Sequence, residues 1–450
     1  MATTVFHQRV LELRGGRLAL DGEPPTTVTI GSDPIVIGRD PSCGLVVADS
    51  GVSAMHAEVV ATPRGVRLRD LGSKNGTWVG DLRVVDAYLG EATSFWIART
   101  EVQFEPTKPE KVDLPDTDHF GPLWGKSAPM LDLFRRLQKA SETELTVLIQ
   151  GETGVGKELV AQAIHEASPR RGGPFVVVDC GAIAPTLAEA TLFGHEKGAF
   201  TGAATARESP FLEANGGTLF LDELGELPGD VQPKLLRALA ERRVKAVGSN
   251  AYQPFDARIV AATRRDLEGA VNAGTFRSDL YFRLAQVRAH APPLRQRLDD
   301  LPGLVRHMLD QMGNKAAWRR VNRATLDRLL RYDWPGNVRE LRNAVAVALA
   351  LGDEKEPLDL AGALGLKSSA KSAKSAKSGT AAEGAGVEAT ATRGYHDAKR
   401  DALQQFERAY FTQLAEATDG NVAEISRRTG LQRTHVRRYL RLHGLREPRG

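Results

Sequence analysis

The hydrophobic and polar positions fall into three unlike patterns along the chain. In the first, VRLRDL (66–71) alternates Val66 and Leu68 against Arg67 and Arg69, and PIVIG, GLVVAD and HAEVV are short β-branched runs between turn residues. Period-two alternation in many short strands predicts an all-β sandwich over 1–104. The second pattern alternates apolar runs with helical stretches: TVLIQ (146–150), FVVVDC (175–180), TLFLDE (218–223) and RIVAAT (258–263). Such runs are buried on both faces, which predicts an α/β domain with a parallel sheet over 120–366. The third, 395–450, reads as all-α. EPTKPEKVDLPDTDH (105–119) is rich in proline and charge and reads as a linker. Residues 367–394 are low-complexity Lys, Ser, Ala and Gly with little to bury, so a disordered tether is expected. A weak electrostatic contact of its lysines with DNA is the alternative.

At 450 residues a multidomain chain is expected, and 42% hydrophobic with 26% charged residues suffices for sizeable cores. The net charge is only +4, so its placement matters more than its sum. From residue 427 onward there are eight arginines against one acid, Glu447. The two cysteines, Cys43 and Cys180, form no CxxC pattern, which argues against a disulfide framework or zinc site and fits a reducing cytoplasm. No window has the apolar length to span a bilayer, and MATTVFHQRV lacks the features of a signal peptide. The expectation is a cytoplasmic protein with no membrane partner.

GETGVGKE (151–158) follows a strand and opens a helix. In that context Gly151, Glu152, Thr153, Gly154, Val155 and Gly156 wrap backbone N–H groups around phosphates, and Lys157 neutralises the terminal ones. Glu158 stands where serine or threonine usually helps to hold magnesium, so the ion must be held elsewhere. TLFLDE supplies Asp222 for Mg2+ and Glu223 to polarise the attacking water of ATP hydrolysis. FRSDLYFRL (276–284) offers Arg277 and Arg283, which read either as transition-state cations or as a solvated helix face.

With these motifs in place, 120–366 resembles the AAA+ P-loop ATPase domain, with helical lid, of bacterial enhancer-binding activators of sigma-54 RNA polymerase. The resemblance rests on the phosphate loop, GAFTGA (198–203), LFLDELGEL, RIVAAT, FRSDLYFRL, PPLRQR (292–297) and WPGNVREL (334–341). It implies that Arg277 and Arg283 are fingers reaching a neighbour's ATP. It places Thr263 at the first sensor and Arg339 at the second, and it implies assembly from dimers to a hexameric ring. It also makes Gly198, Ala199, Phe200, Thr201, Gly202 and Ala203 a mobile loop that contacts sigma-54; glycines permit its motion and the aromatic offers contact area. Two positions depart from the family pattern. Asp179 stands where asparagine is common, and Arg264 follows Thr263 in place of asparagine. An amide donates a hydrogen bond to Glu223, whereas an ionised Asp179 cannot. ATPase activity is expected to survive both, with altered regulation.

Residues 395–450 resemble the Fis-type helix-turn-helix, with Gly430 at the turn. Gln432, Arg433, Thr434, His435, Arg437 and Arg438 are then the candidates to face the major groove of an upstream double-stranded DNA site. Residues 1–104 resemble a forkhead-associated (FHA) domain, a phosphothreonine reader, through IGRDPSC, SAMH and LGSKNGTWVG. Arg39 and Ser53 would bind the phosphate and Asn75 the peptide backbone, on a partner protein or a Ser/Thr kinase. His56 is expected to be structural. Ala54 stands where the family often has a basic residue, and Lys74 in the neighbouring loop is the cation placed to compensate. The whole reads as a sigma-54-dependent transcription activator under phosphothreonine control. A DNA-binding, phosphopeptide-reading scaffold with a static nucleotide module is the alternative. An AAA+ unfoldase or helicase is disfavoured by GAFTGA.

Overall fold

The alternation at 66–71 is realised in a strand, Gly65–Asp70, that buries Val66 and Leu68 and turns Arg67 outward to pair with Asp86. The computed structural model describes residues 9–20, 26–201, 203–353, 356–365 and seven positions between 412 and 425. Two units are distinguished, Met1–Ser368 and Ser369–Gly450.

In the first unit the N-terminal sandwich packs a five-stranded sheet on a six-stranded one. The five-stranded sheet runs Asp86–Leu89, Gly65–Asp70, Ala57–Thr62, Ile35–Gly38, Leu45–Val46. Leu18, Ile37, Val59, Leu68, Phe95 and Phe104 lie in the core between the sheets, each at most 2% exposed. The segment 105–119 is a correction to the linker expectation. Glu110–Asp113 is a strand paired antiparallel with Val10–Leu13, and Thr100–Pro106 extends into the segment from the sandwich.

The central domain has a five-stranded parallel sheet in the order Phe175–Asp179, Thr218–Asp222, Arg258–Thr263, Val147–Gln150, Val287–His290. All six residues of Arg258–Thr263 are buried, as expected of an inner strand covered on both faces. Apolar residues of Ala128–Ser141 and Lys157–Glu166 cover one face, and Gln232–Glu241, Leu267–Asn272 and Ser278–Leu284 contribute to the other core cluster. A helical lid follows, built on Leu301–Gln311, Arg323–Leu329 and Asn337–Leu351 around Trp334, Leu309 and Val345.

In the second unit, Asn421 caps a helical turn: its Oδ1 accepts the Glu424 N–H at 3.2 Å and its carbonyl the Ile425 N–H at 2.9 Å. The DNA-facing candidates Gln432 to Arg438, and Gly202 of GAFTGA, lie outside the described residues. Among the described residues no helix is long and apolar enough to cross a membrane.

Candidate functional site

The phosphate loop leaves Val147–Gln150 and enters the Lys157–Glu166 helix. Gly154 (φ +79°) and Gly156 (φ +104°) adopt the left-handed conformation that favours glycine. At Gly154 space also demands it, because a Cβ would stand 2.3 Å from the Gly336 carbonyl oxygen of the lid. A cavity of about 520 Å³ opens here. Residues 153–159 line it with Asp179, Asp222, Glu223, Arg297, Arg339 and Arg342, while Trp124, Leu304, Met308 and Val338 make one wall apolar. Cations around a glycine loop at one end and an apolar wall at the other suit the phosphates and base of a nucleotide.

Lys157, 7% exposed, donates to the Gly151 carbonyl at 3.2 Å and to Glu223 Oε1 at 3.3 Å. Glu223 has φ +47°, an uncommon value for a residue with a side chain. Its other oxygen accepts the Arg264 backbone N–H at 3.2 Å. Burial raises the Asp222 carboxyl above its ordinary range, and Glu223 and Asp179 nearby add to this, against the Glu223 N–H bond and Lys157. Asp179 Oδ1 takes the N–H groups of Gly181 (2.9 Å) and Ala182 (3.2 Å), so it is tied to its own loop.

The donor set fits magnesium. Carboxylate oxygens are what the ion takes, and Mg2+ commonly uses one or two protein carboxylates plus substrate phosphates. Among the described residues no group of three or more His, Cys, Asp or Glu residues forms a metal cluster. Bound there, the ion would neutralise phosphate charge.

If Asp222 holds the magnesium it must be ionised, and its raised pKa would then place the acid limb of turnover at higher pH than an ordinary aspartate would. Asp179→Asn removes one negative neighbour and is expected to move that limb to lower pH. A pH–rate profile checks this, and an unmoved limb would show that the two carboxylates are not coupled.

Several expected residues lie elsewhere. The Thr263 side chain is fully buried and does not line this cavity; its Oγ1 accepts the Arg265 N–H at 3.0 Å, and its carbonyl accepts the Gly151 N–H at 3.3 Å. Arg264 takes the position beside Glu223, its guanidinium 3.9 Å from that carboxylate and 3.2 Å from Glu226. Arg277 and Arg283 do not line the chain's own cavity. Arg277 forks onto Asp279 (3.0 and 2.7 Å), and Arg283 donates to the Leu239 carbonyl at 3.0 Å. Arg339 lines the cavity, and its backbone N–H donates to the Gly154 carbonyl at 3.1 Å.

The motif reading missed four residues of the lid connection. Arg297, 5% exposed, and Arg342 line the cavity. Glu152 forms a bidentate pair with Arg295 (2.8 and 2.5 Å) and accepts from Asn337 at 3.1 Å. The Arg295 bonds, with help from Asn337 and against burial, lower the Glu152 carboxyl to about 2. Its hold on the lid is therefore present at neutral pH and lost only as pH falls through the ordinary carboxylate range towards 2. All four lie within PPLRQR and WPGNVREL or beside them, so the quoted motifs held the signal.

Residues 198–201 form a turn. His195 bridges Arg207 and Val247, and the Gly198 N–H donates to the Ala203 carbonyl at 2.9 Å. Thr201 is exposed, and the half-buried Phe200 ring meets the His195 ring edge-on at 5.1 Å. In the N-terminal sandwich, Arg39, Lys74 and Asn75 are exposed around Ser53, whose Oγ accepts the Lys74 N–H at 3.0 Å. Asn75 Nδ2 donates to the Gly51 carbonyl at 2.7 Å. His56 is fully buried, accepting the Ser53 N–H on Nδ1 (3.2 Å) and meeting the Gly76 carbonyl with Nε2 (3.0 Å), and burial lowers its pKa. It holds the loops together as a neutral ring.

Residues 123–290 match the Sigma-54 interaction domain family, 295–377 the AAA+ ATPase lid domain and 35–95 the FHA domain. The DNA-binding transcriptional regulator NtrC of Azospirillum brasilense is 40% identical over 344 residues, covering 73% of this chain and 71% of that protein. Transcriptional regulatory protein ZraR of Escherichia coli (strain K12) is 50% identical over 229 residues, so the chain spans about half, 52%, of its length. The crystal structure of NtrX from Brucella abortus in complex with ATP superposes with a TM-score of 0.51 at 30% identity, covering 73% of this chain and 71% of that one. The chain belongs to the sigma-54-interacting AAA+ ATPase family of transcriptional regulators, with an FHA domain ahead of the ATPase.

Proposed function

We propose that the chain hydrolyses ATP with magnesium in a ring of its own subunits and uses that energy to remodel sigma-54 RNA polymerase at a promoter. The observation that carries the reading is one chain holding both a nucleotide cavity with Lys157, Asp222 and Glu223 and a turn with Thr201 at solvent. Arg277 and Arg283 lie outside their own subunit's cavity, and exchanging their present partners, Asp279 and the Leu239 carbonyl, for a neighbour's ATP makes the ring the catalytic unit. Gln432, Arg433, Thr434, His435, Arg437 and Arg438 hold upstream double-stranded DNA, and 367–394 tether that module so that the polymerase meets a raised local concentration of ATPase. Phosphothreonine on a partner, a kinase or the protein itself, read by Arg39, Ser53, Lys74 and Asn75, controls the machine.

Thr201→Ala tests the output. Because Thr201 is exposed, the fold and ATP turnover should persist. Loss of a central contact to the polymerase should lower open-complex formation about tenfold or more. Wild-type promoter opening by the variant would refute the reading. For the input, Arg39→Ala removes a charge-assisted bond and should weaken phosphothreonine-peptide binding about 10- to 150-fold, measured by fluorescence anisotropy. An unaltered affinity would show that this site is unused.

A further inference from the structure

The FHA recognition loops have a second face. Arg39, Lys74 and Asn75 stand at solvent, while Cys43, Met55 and Leu71 from the same loops are buried in one cluster with Leu267, Val271 and Leu280 of the ATPase domain. At the centre of that contact is Asn272, the last residue of the Leu267–Asn272 helix. Its Oδ1 accepts the Met55 N–H at 3.2 Å, and its Nδ2 donates to the carbonyls of Met55 (2.5 Å) and Leu71 (2.8 Å). Met55 lies two residues after Ser53, and Leu71 three before Lys74. One side-chain amide thus grips both loops whose Ser53 Oγ and Lys74 N–H are joined on the ligand side.

The other end of this short helix is tied to the nucleotide loop. Glu268, 1% exposed, accepts Gln150 Nε2 at 3.0 and 3.2 Å and the Tyr281 hydroxyl at 2.8 Å. Gln150 is the residue before Gly151, where the phosphate loop begins. Arg288 lies 3.6 Å from Glu268 and bonds Glu58 of the sandwich at 2.5 Å, joining the same helix to the FHA sheet a second time. Beyond Asn272 the chain turns through Ala273–Phe276 directly into Arg277.

Resting on the phosphothreonine reading above, we propose that the Leu267–Asn272 helix couples occupancy of the FHA loops to the ATP site, with Asn272 as the coupling residue. A side-chain amide bonded to loop backbone cannot keep three bonds if the loops shift on closing around a phosphate. Either the helix follows or the bonds are lost. Packed protein transmits such a shift because it compresses little. The helix in turn positions Gln150 before the phosphate loop and Arg277 after it. As a linkage, the effect is reciprocal: phosphopeptide and nucleotide change each other's affinity by the same factor.

The test uses the full chain, a non-hydrolysable ATP analogue, and a fluorescent phosphothreonine peptide selected from a degenerate library, with its unphosphorylated form as the blank. In the wild type each probe is expected to shift the other's dissociation constant by the same factor, about five or more. Asn272→Ala should bring that factor towards unity while the peptide still binds. Asn272→Asp keeps the side-chain size, removes both donated bonds and sets a carboxylate against two carbonyls; it should do the same if the alanine variant fails to fold. If no phosphopeptide binds the wild type, the phosphothreonine reading and this proposal both fall. If one binds through Arg39 yet the wild-type factor is unity, or both variants keep the full factor, the coupling alone is overturned.

Discussion

Glu223→Gln is expected to lower ATP turnover by about 10²- to 10⁴-fold, the range over which a positioned general base contributes, while nucleotide still binds. One oxygen of Glu223 faces the Lys157 amine and the other the Arg264 backbone N–H, and the residue sits at φ +47°. Two donors and an uncommon backbone conformation hold the group at the end of Thr218–Asp222, beside the Asp222 carboxyl. Glutamine matches the shape and keeps an acceptor for Lys157, so the phosphate loop is left in place. What disappears is the capacity to take a proton from water. Phosphate release at saturating ATP and titration with a fluorescent nucleotide separate the two effects. A fall of less than about tenfold would mean that water is activated by another group.

The same surroundings show where reading the sequence succeeded. Strand, glycine loop and lysine are contiguous, and the apolar run before Asp222 and Glu223 fixes a strand end, so these parts of the cavity lining were legible from local pattern. Long-range partners were not. Arg264 was visible as a departure, but its approach to Glu223 depends on two strand ends meeting, 41 positions apart. Thr263, expected at the first sensor, was legible as a strand end, but not the bond of its hydroxyl to the Arg265 N–H, which leaves it off the cavity lining. The segment 105–119 looked like a linker because its strand Glu110–Asp113 is mostly exposed and charged, and nothing local announces pairing with Val10–Leu13. The contact of Met55 with Asn272, 217 positions apart, carries no sequence signature at all. It is made to backbone atoms, which every residue type possesses.

Asn337 offers the sharpest test of how the lid is joined to the phosphate loop. It is fully buried at the start of Asn337–Leu351 and has φ +53°, which asparagine tolerates better than alanine. Its Oδ1 accepts the Leu294 N–H at 2.9 Å, and its Nδ2 donates to Glu152 Oε2 (3.1 Å) and the Thr153 carbonyl (3.0 Å). Three segments far apart in the chain therefore meet on one amide. Asn337→Ala leaves the buried Leu294 N–H without its partner, about 1–3 kcal/mol, and places alanine in the left-handed region, about 1–2 kcal/mol more. A loss of about 2–5 kcal/mol in local stability follows, which faster hydrogen exchange along the Asn337–Leu351 helix would report. Asn337→Gly forfeits the same side-chain bonds but relaxes the backbone, so the gap between the two variants isolates the conformational cost at about 1–2 kcal/mol. Glu152 and Thr153 belong to the phosphate loop, so the KM for ATP should rise in both variants by more than kcat falls. Unchanged exchange and an unchanged KM would mean that the lid is held by its apolar contacts alone.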